Sequence, residues 1–233
     1  MSTKKKRAHP GDGRPATRDT APSGALQMVS AAFGKIDAYA IARESKRQQR
    51  AKGVYTDGLQ YGEVDLQAFA TALGWCKPRP GEKFVDLGSG SGKAVLAAAA
   101  LHPFSSATGI ELVPQLHDTA VEALGRCETS LLQTKDVHFT CADALDFVWT
   151  DHDVVFVSIT CFTDEMVARV ERDAVKLRPG ARMLVTSRAL NCGPLLRLLH
   201  REKLTYGRGT LTFLAYERAD GAEDGAADRS STS

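Results

Sequence analysis

Apolar positions divide the chain into a helical first part and a later region in which strands and helices alternate. Between Ala25 and Lys52, apolar residues recur at spacings of three and four, which is the period of one helix face. A second helix is predicted from Asp65 to about Leu73, ahead of the helix-breaking sequence KPRPG at 77–81. The pattern therefore predicts a helical lead-in that precedes a sheet.

Short apolar runs alternate with helical stretches beyond residue 81. Strands are predicted at 83–88, 106–112, 136–143, 152–159 and 181–188, and helices at 91–102, 115–126, 163–178 and 194–200. Segment 202–217 predicts two further strands joined by a hairpin at 207–209. Such alternation implies right-handed crossovers and a mainly parallel sheet. The predicted class is α/β, and it resembles the seven-stranded class I (Rossmann-like) methyltransferase sheet with a C-terminal antiparallel hairpin and an N-terminal helical lead-in.

The two ends of the chain differ in composition from its middle. Of the 233 residues, 43% are hydrophobic, which is enough for one sizeable core. Residues 1–23 are basic and rich in Pro and Gly, and residues 219–233 are small, polar and acidic. We expect both to be disordered tails, because neither buries enough apolar area to offset the entropy of ordering. Between them we expect a helical lead-in at 24–80, which contains the sequence YGEV, and a sheet domain at 81–218.

Basic residues cluster in two segments, although the net charge of the chain is only +2. Residues 1–23 contain six Lys and Arg against two Asp, concentrated in segment 4–18, and segment 43–52 contains five Lys and Arg against one Glu. Such segments suit a polyanionic partner, nucleic acid first. The alternative is a solubilising tail followed by a solvated helix face. The run KKKR at 4–7 also matches short nuclear import signals.

The five cysteines form no CxxC pair and no cluster with histidine. This pattern disfavours a disulfide scaffold and a zinc site, and it favours a reducing compartment. No apolar segment of the signal-peptide type follows the N-terminal charges. The longest apolar run, AVLAAAAL at 94–101, is far shorter than a membrane span. We therefore expect neither a metal nor membrane association.

The sequence DLGSGSGKA at 86–94 follows a predicted strand and opens a predicted helix. Its three alternate glycines permit a tight turn and a close approach of the backbone to a ligand. A phosphate-binding P-loop requires Ser or Thr where Ala94 stands, and a nicotinamide or flavin fingerprint requires glycine where Lys93 stands. With Asp86 the loop reads D-x-G-x-G-x-G and resembles the S-adenosylmethionine loop, since an anion suits a cationic amino acid and is unfavourable beside a pyrophosphate.

Two further acidic residues lie at the ends of the next two predicted strands. Glu111 lies about twenty residues beyond the glycine loop, where an acid can accept ribose hydroxyl hydrogens. Asp143 follows the third strand. Taken alone, an Asp at such a position is more often a turn former, and the alternative is a contact to an adenine amino group.

Five motifs occur in a characteristic order along the chain. They are YGEV at 61–64, DLGSGSG at 86–92, GIEL at 109–112, DVVFVSITCF at 153–162 and LRPGAR at 177–182. This order resembles the non-SET histone H3 lysine methyltransferases named for disruption of telomeric silencing (DOT-type). The resemblance covers residues 55–190, most of the predicted folded part of the chain.

The resemblance implies a binding site for S-adenosylmethionine. The loop before the sheet would line it with Tyr61, Gly62 and Glu63. The remaining cofactor residues would be Asp86, Gly88, Ser89, Gly90, Gly92 and Lys93 at the methionine moiety, Glu111 at the ribose, and Asp143 with Ala144 at the adenine.

The same resemblance implies that the target amine lies beside the segment SITCF, which begins at Ser158. Ser158 stands where the family usually has an asparagine, and Phe162 matches an aromatic residue of that segment. Ser158 and Thr160 are candidates to accept a hydrogen bond from the amine, and the alternative for both is ordinary packing at a strand end. Tyr206 or Tyr216 would supply an aromatic wall of the lysine channel.

The implied protein is a histone H3 lysine N-methyltransferase that acts on nucleosomes in the nucleus, as a monomer, with DNA phosphates bound by the two basic segments. No histidine base is expected, because desolvation beside a sulfonium cation disfavours the lysine ammonium. Two alternatives remain open. One is another class I methyltransferase, acting on a non-histone protein lysine, an RNA or a small molecule. The other is a catalytically silent chromatin-binding domain, which the missing asparagine favours and the three acidic residues disfavour.

Overall fold

The computed structural model describes residues 24–34, 36–51, 62–206 and 209–220. Tyr61 and basic segment 4–18 lie outside these ranges, as do the other residues of both predicted tails except Ala219 and Asp220. The helices are α1 (Gly24–Ala32), α2 (Ala38–Ala51), α3 (Leu66–Trp75), α4 (Lys93–Leu101), α5 (Pro114–Arg126) and α6 (Asp164–Ala174), with 3-10 turns at Thr129–Leu131 and Gly193–Leu195. The strands are β1 (Lys83–Leu87), β2 (Ser106–Glu111), β3 (Val137–Cys141), β4 (Val154–Ser158), β5 (Arg182–Thr186), β6 (Leu196–Tyr206) and β7 (Gly209–Arg218).

The seven strands form one sheet in the order β3-β2-β1-β4-β5-β7-β6. The first five are mutually parallel, and β7 runs antiparallel between β5 and β6. All five residues of β5 and four of the five in β4 are buried, as expected for central parallel strands covered on both faces. The predicted α/β class, the seven-stranded class I sheet and its C-terminal antiparallel hairpin are confirmed.

Hydrophobic clusters pack on both faces of the sheet. On one face, the ring of Phe69 from α3 lies between those of Phe84 and Phe156, at centroid distances of 6.4 and 5.1 Å. Helix α4 joins this cluster, and its buried residues 94–100 are mostly alanine, so the helix lies close to the strands. On the other face, Trp149 and helix α6 cover the sheet. The two clusters fix the strand ends that carry the site.

Two of the helix predictions are wrong. The pattern at 25–52 belongs to two helices, because the chain breaks after Phe33 and Asp37 begins α2 by accepting a hydrogen bond from the backbone N–H of Ala40 at 2.9 Å. The helix predicted at 194–200 is instead the start of strand β6, which pairs with β7 from Leu196 onwards. Local apolar spacing does not reveal this pairing, because Leu196 pairs with Arg218, which is distant in sequence. The pairing satisfies the backbone hydrogen-bonding groups that a helix would otherwise satisfy.

The motif LRPGAR ties the helical lead-in to the sheet. The buried guanidinium of Arg182 donates through Nε to the carbonyl of Cys76 at 3.0 Å and through Nη1 to the carbonyl of Gly180 at 2.7 Å, and it forms an ion pair with Glu82. Its donors are thus paired at three points, which offsets the cost of burying the charge. This family motif has a structural role away from the cavity described below. In the described part of the chain, every helix is too short or too polar to cross a bilayer.

Candidate active site

A cavity of about 690 Å³ opens at the carboxyl ends of the strands, close to the reversal of strand order between β1 and β4. Ligands bind at such switch points in open α/β sheets. Helix α2 and residues 62–64 complete the cavity wall. Of the predicted site residues, the lining includes Gly62, Glu63, Asp86, Gly88, Ser89, Gly90, Lys93, Glu111, Asp143, Ala144, Ser158, Thr160 and Phe162.

The glycine loop has the left-handed backbone that its sequence predicts. The φ angles are +81° at Gly88, +54° at Gly90 and +86° at Gly92, a region that favours glycine. A Cβ on Gly88 would meet nothing within 4 Å, so the backbone there borders open space. A Cβ on Gly92 would lie 2.7 Å from the ring of Phe139, so this glycine serves packing behind the loop and is not part of the cavity lining.

Glu111 holds the glycine loop from the end of β2. Its Oε2 accepts the backbone N–H of Gly90 at 2.7 Å, and its Oε1 accepts that of Val113 at 2.8 Å. Burial raises the pKa of Glu111, and these backbone hydrogen bonds act in the opposite direction. Each carboxylate oxygen has a second lone pair, so Glu111 can still accept hydroxyl hydrogens from a ligand.

Asp86 is the most deeply buried acid of the cavity lining. Burial, and then the neighbouring Glu111, raise the pKa of Asp86 well above its usual value. A buried carboxyl of this kind gains from a cationic ligand, because the cation stabilises the charged form that burial disfavours. This electrostatic setting matches a ligand ammonium.

Glu63 of the YGEV loop reaches across to the glycine loop. Its Oε2 lies 2.7 Å from Nζ of Lys93, the first residue of α4, and both side chains are largely shielded from solvent. The backbone N–H of Glu63 donates to the hydroxyl of Tyr39 in α2 at 3.2 Å, and Nζ of Lys93 lies 5.2 Å from the centroid of the Phe33 ring. The helical lead-in therefore closes over the cavity through these contacts. Tyr61, also predicted to line it, lies outside the described residues.

Asp143 shapes a turn as well as lining the cavity. Its Oδ1 accepts the backbone N–H of Leu145 at 2.8 Å, and its carbonyl accepts those of Asp146 and Phe147. Ala144 is buried beside it and also lines the cavity. The turn-forming reading of Asp143 is thus correct, and the same turn presents the residue to the cavity.

The cavity wall beyond β4 and β5 carries no charge. Ser158, Thr160 and Phe162 line it there as predicted, together with Cys161 and Thr186. The sequence analysis missed Thr186, whose hydroxyl lies 2.9 Å from that of Ser158. The only available signal was its place at the end of a predicted strand, since a lone hydroxyl belongs to no motif.

Tyr216 does not form a wall of this cavity. It is buried in the core, where its hydroxyl accepts the backbone N–H of Leu190 at 3.2 Å, and it is absent from the lining. The side chain of the other candidate, Tyr206, lies outside the described part of the structure. The rim is instead formed by α2, through Tyr39, Arg43 and Lys46.

A comparison with protein families matches residues 53–194 to the model of "Histone methylation protein DOT1". That range covers more than half of the chain and includes the glycine loop, all three acids and the SITCF segment. The chain belongs to the DOT1 histone-methylation family. No curated protein sequence matches it.

The structural neighbours of this DOT1-family chain include several methyltransferases. TrmN from Thermus thermophilus aligns over 67% of this chain and 50% of its own, at 22% identity and a TM-score of 0.56. An RNA methyltransferase from Salinibacter ruber, in complex with S-adenosyl-L-homocysteine, aligns over 70% of this chain and 97% of its own, at 16% identity and 0.53. Magnesium protoporphyrin IX methyltransferase from Synechocystis PCC 6803, with bound S-adenosylmethionine, aligns over 86% of this chain and 100% of its own, at 13% identity and a TM-score of 0.53. Identities this low establish the shared fold alone.

Family and fold together make this DOT1-family protein an S-adenosylmethionine-dependent protein-lysine N-methyltransferase. The residues present fit that cofactor: the cavity lies within the usual range for a ligand of this size, open space borders Gly88, and a buried carboxyl suits the cofactor's ammonium. The buried hydroxyl of Ser89 also has no hydrogen-bond partner among the described residues. Within the same residues, no group of three or more His, Cys, Asp or Glu is placed to hold a metal ion.

Proposed function

We propose that this protein methylates a lysine ε-amine of histone H3 within the nucleosome. The observation that carries the proposal is the family match over 53–194, a range that contains most of the residues lining the cavity. The low-identity structural neighbours act on varied substrates and do not bear on this choice.

On this proposal the acidic residues bind the cofactor and the SITCF segment receives the amine. Asp86 and Glu63 would hold the methionine ammonium, and Lys93 would hold its carboxylate. The remaining contacts are assigned to Gly62, Gly88, Ser89 and Gly90 at the methionine moiety, Glu111 at the ribose, and Asp143 with Ala144 at the adenine, with Gly92 supporting the loop from behind. Tyr61 is likewise proposed to line the cofactor site from the YGEV loop.

The reaction needs a neutral amine, since a free lysine with a pKa near 10.4 is protonated at neutral pH. When bound at Asp86, the glycine loop and Glu111, the cofactor would supply an electrophilic methyl group carried on a sulfonium. The chain contributes alignment of the amine and a site that disfavours its charged form, through desolvation by Phe162 and Met166 and through the absence of a carboxylate on the β4–β5 side of the lining. The ammonium proton leaves to solvent before the transfer, and the methylated product is itself an ammonium at neutral pH.

The basic segments would hold the nucleosome through DNA phosphates. Arg43 and Lys46 lie at the rim of the cavity, so the phosphate-binding helix α2 and the lysine channel would face the same partner. Segment 4–18 would add contacts without sequence specificity. We place the protein in the nucleus, as a monomer, consistent with the run KKKR at 4–7 and with the family's action on histones.

The test is transfer of tritiated methyl groups, measured side by side on nucleosomes, free histones and RNA. Gly90→Arg serves as the inactive control, because it places a long side chain at a positive φ in the loop bound by Glu111. We expect label on histone H3 in nucleosomes and little on the other substrates. Label on free histones or RNA without label on nucleosomes would overturn the proposal.

A truncation tests the role of the first basic segment. Deleting residues 1–23 removes cations that would contact DNA and leaves the cavity unchanged, so nucleosome binding and methylation should fall while cofactor affinity stays the same. Equal activity of the full-length and truncated proteins on nucleosomes at physiological salt would contradict that role.

A further inference from the structure

Four hydroxyl side chains meet where β4 and β5 end. We call Ser158, Thr160, Thr186 and Ser187 the hydroxyl cluster. The oxygens of Ser158 and Thr186 lie 2.9 Å apart, those of Thr160 and Ser187 2.6 Å, those of Thr160 and Thr186 3.3 Å, and those of Ser158 and Thr160 3.4 Å. Ser158 and Thr160 are exposed and line the cavity, whereas Thr186 is buried beneath them. Thr186 therefore orients both exposed hydroxyls from behind.

The backbone at Ser187 is strained to complete this cluster. Its φ angle is +76°, and the N–H of Arg188 donates to the carbonyl of Thr186 at 3.0 Å, which closes a γ-turn of the rarer, strained type. The N–H of Ser187 is held by the carbonyl of Thr212 at 2.8 Å. Non-glycine residues keep such a conformation where the surroundings impose it, and these positions concentrate at functional sites.

The same turn positions the neighbouring loop. The guanidinium of Arg188 donates to Asp164 at 2.6 Å and to the carbonyl of Phe162 at 3.0 Å. Phe162 lines the cavity beside the hydroxyl cluster. The γ-turn therefore sets both the hydroxyls and the aromatic residue of this wall.

The hydroxyl cluster is a net hydrogen-bond acceptor. Each hydroxyl donates one hydrogen and can accept two, so the cluster has twice as many acceptor positions as hydrogens. Even with every hydrogen used internally, lone pairs remain for a ligand. A neutral amine has the complementary need, because its N–H groups require acceptors while its lone pair must point at the methyl group.

Among the described residues, no acid hydrogen-bonds to the hydroxyl cluster, and the acid of the neighbouring strand, Asp86, pairs in register with Phe156, two residues before Ser158. Burial raises the pKa of the Cys161 thiol, and the nearby cation of Lys46 in α2 lowers it in part. Asp164 is paired with Arg188. The acids of the cavity lining, Glu63, Asp86, Glu111 and Asp143, belong to the YGEV loop and to the ends of β1, β2 and β3. An amine at the cluster thus meets neutral acceptors, which hold an ammonium less tightly than a carboxylate would.

We propose that Thr186 and Ser187 are positioning residues of the acceptor-amine site, which hold the hydroxyls of Ser158 and Thr160 in place to accept the N–H hydrogens of the substrate lysine. This inference rests on the proposed lysine methylation. Because these acceptors are neutral, they stabilise the ammonium form less than a carboxylate would, and the amine loses its proton more readily than it would beside an acid.

The test replaces Ser158 in two separate variants, with residues of equal size that differ in charge. Ser158→Asn supplies a neutral acceptor and Ser158→Asp supplies an anion, and each is measured in single-turnover methyl transfer to recombinant nucleosomes, with saturating S-adenosylmethionine, from neutral to alkaline pH. Ser158→Asn should lower the rate several-fold with the pH midpoint of wild type. Ser158→Asp should move that midpoint to higher pH by about one unit, because an adjacent carboxylate stabilises the ammonium.

A second pair of variants separates positioning from folding. Thr186→Val removes the buried hydroxyl, and Thr108→Val is its control, since Thr108 is a buried strand threonine bonded to His138 at 2.9 Å outside the cavity lining. Thr186→Val should reduce the single-turnover rate about tenfold with unchanged S-adenosylmethionine affinity, and Thr108→Val should not.

The outcomes distinguish the two proposals. If the wild-type protein labels no lysine, the proposed function fails and the inference fails with it. If wild type is active but Ser158→Asn and Ser158→Asp share one pH midpoint, or if Thr186→Val and Thr108→Val have equal rates, the inference alone is overturned.

Discussion

The two sides of the cavity are built from different chemistry. The side formed by the YGEV loop and the ends of β1, β2 and β3 carries four carboxylates and Lys93, whereas the side formed by the ends of β4 and β5 carries hydroxyls, a thiol and apolar groups. We call these the acidic side and the hydroxyl side. The boundary between them is the β1–β4 junction, where the strand order reverses.

This difference indicates how one cavity serves two cationic groups with opposite needs. The cofactor must keep its positive charges, and the acidic side favours them. The substrate lysine must lose its charge, and the hydroxyl side offers hydrogen-bond acceptors without an anion. Loss of a carboxylate from the acidic side should therefore impair cofactor binding, and gain of a carboxylate on the hydroxyl side should impair methyl transfer.

The largest effect is expected when the acidic side loses its buried carboxyl. Asp86→Asn should weaken S-adenosylmethionine binding by about 2–5 kcal/mol, roughly thirtyfold or more, because the cofactor's ammonium loses a desolvated partner. The unliganded variant should be more thermally stable than wild type, since burial and Glu111 both disfavour the Asp86 carboxylate. Calorimetric titration and thermal unfolding measure the two effects.

Asp118→Asn is the matched control for this substitution, because the side chain of Asp118 is 79% exposed on α5 and outside the cavity lining. It should leave both quantities unchanged. Equal cofactor affinity in wild type and Asp86→Asn would remove the distinction between the two sides.

The raised pKa of Asp86 predicts a pH dependence with a definite sign. The folded, unliganded protein holds this proton more tightly than the unfolded chain, so its stability should fall as pH rises from the ordinary value of 3.8 towards the raised pKa. A bound ammonium favours the carboxylate, so cofactor binding should release a proton and tighten with pH over the same window. Thermal unfolding with and without S-adenosylmethionine across pH tests this, and a pH-independent ligand shift would contradict it.

A smaller effect is expected at the edge of the acidic side. Glu63→Ala removes a partly shielded carboxylate that pairs with Lys93, and it should weaken S-adenosylmethionine binding about tenfold, near 1.4 kcal/mol. Glu122→Ala removes an ion-paired glutamate outside the cavity and is the control. If both variants bind the cofactor like wild type, the proposed contact of the YGEV loop is wrong.

The smallest effect concerns the strain on the hydroxyl side. Ser187→Gly and Ser187→Ala both remove the hydroxyl, but only glycine relaxes the positive φ of +76°. The glycine variant should exceed the alanine variant in unfolding free energy by about 1 kcal/mol, with equal, lowered rates of methyl transfer. Urea unfolding measures the difference, and equal stabilities would show that the γ-turn stores no strain.

The acidic side was predictable from the sequence and the hydroxyl side only in part. Asp86 and Glu111 lie at the ends of strands β1 and β2, and Asp143 follows β3, each at a position that a known motif marks. Thr186 and Ser187 carry no such signal, because the approach of Thr186 to Ser158 depends on the pairing of β4 with β5, and that of Ser187 to Thr160 on a φ angle that spacing does not encode.

The fold shows the same limit. Strands β1 to β5 were predicted within a few residues, since each is a short run of strand-forming residues bounded by breakers, although the edge strand β3 has no buried residue. The break between α1 and α2 and the start of β6 were not predicted, because one depends on a capping side chain and the other on a partner strand distant in sequence. The contact of Glu63 with Lys93 likewise required the lead-in to fold over the glycine loop.

The most direct test of a cavity with two distinct sides is the S-adenosylmethionine affinity of Asp86→Asn and Ser158→Asp, titrated calorimetrically side by side. The first variant removes a carboxylate from the acidic side and the second adds one to the hydroxyl side. We predict that Asp86→Asn loses cofactor affinity roughly thirtyfold or more, while Ser158→Asp retains it even though its methyl transfer at neutral pH is impaired. An equal loss of cofactor affinity in both variants would contradict the division of the cavity.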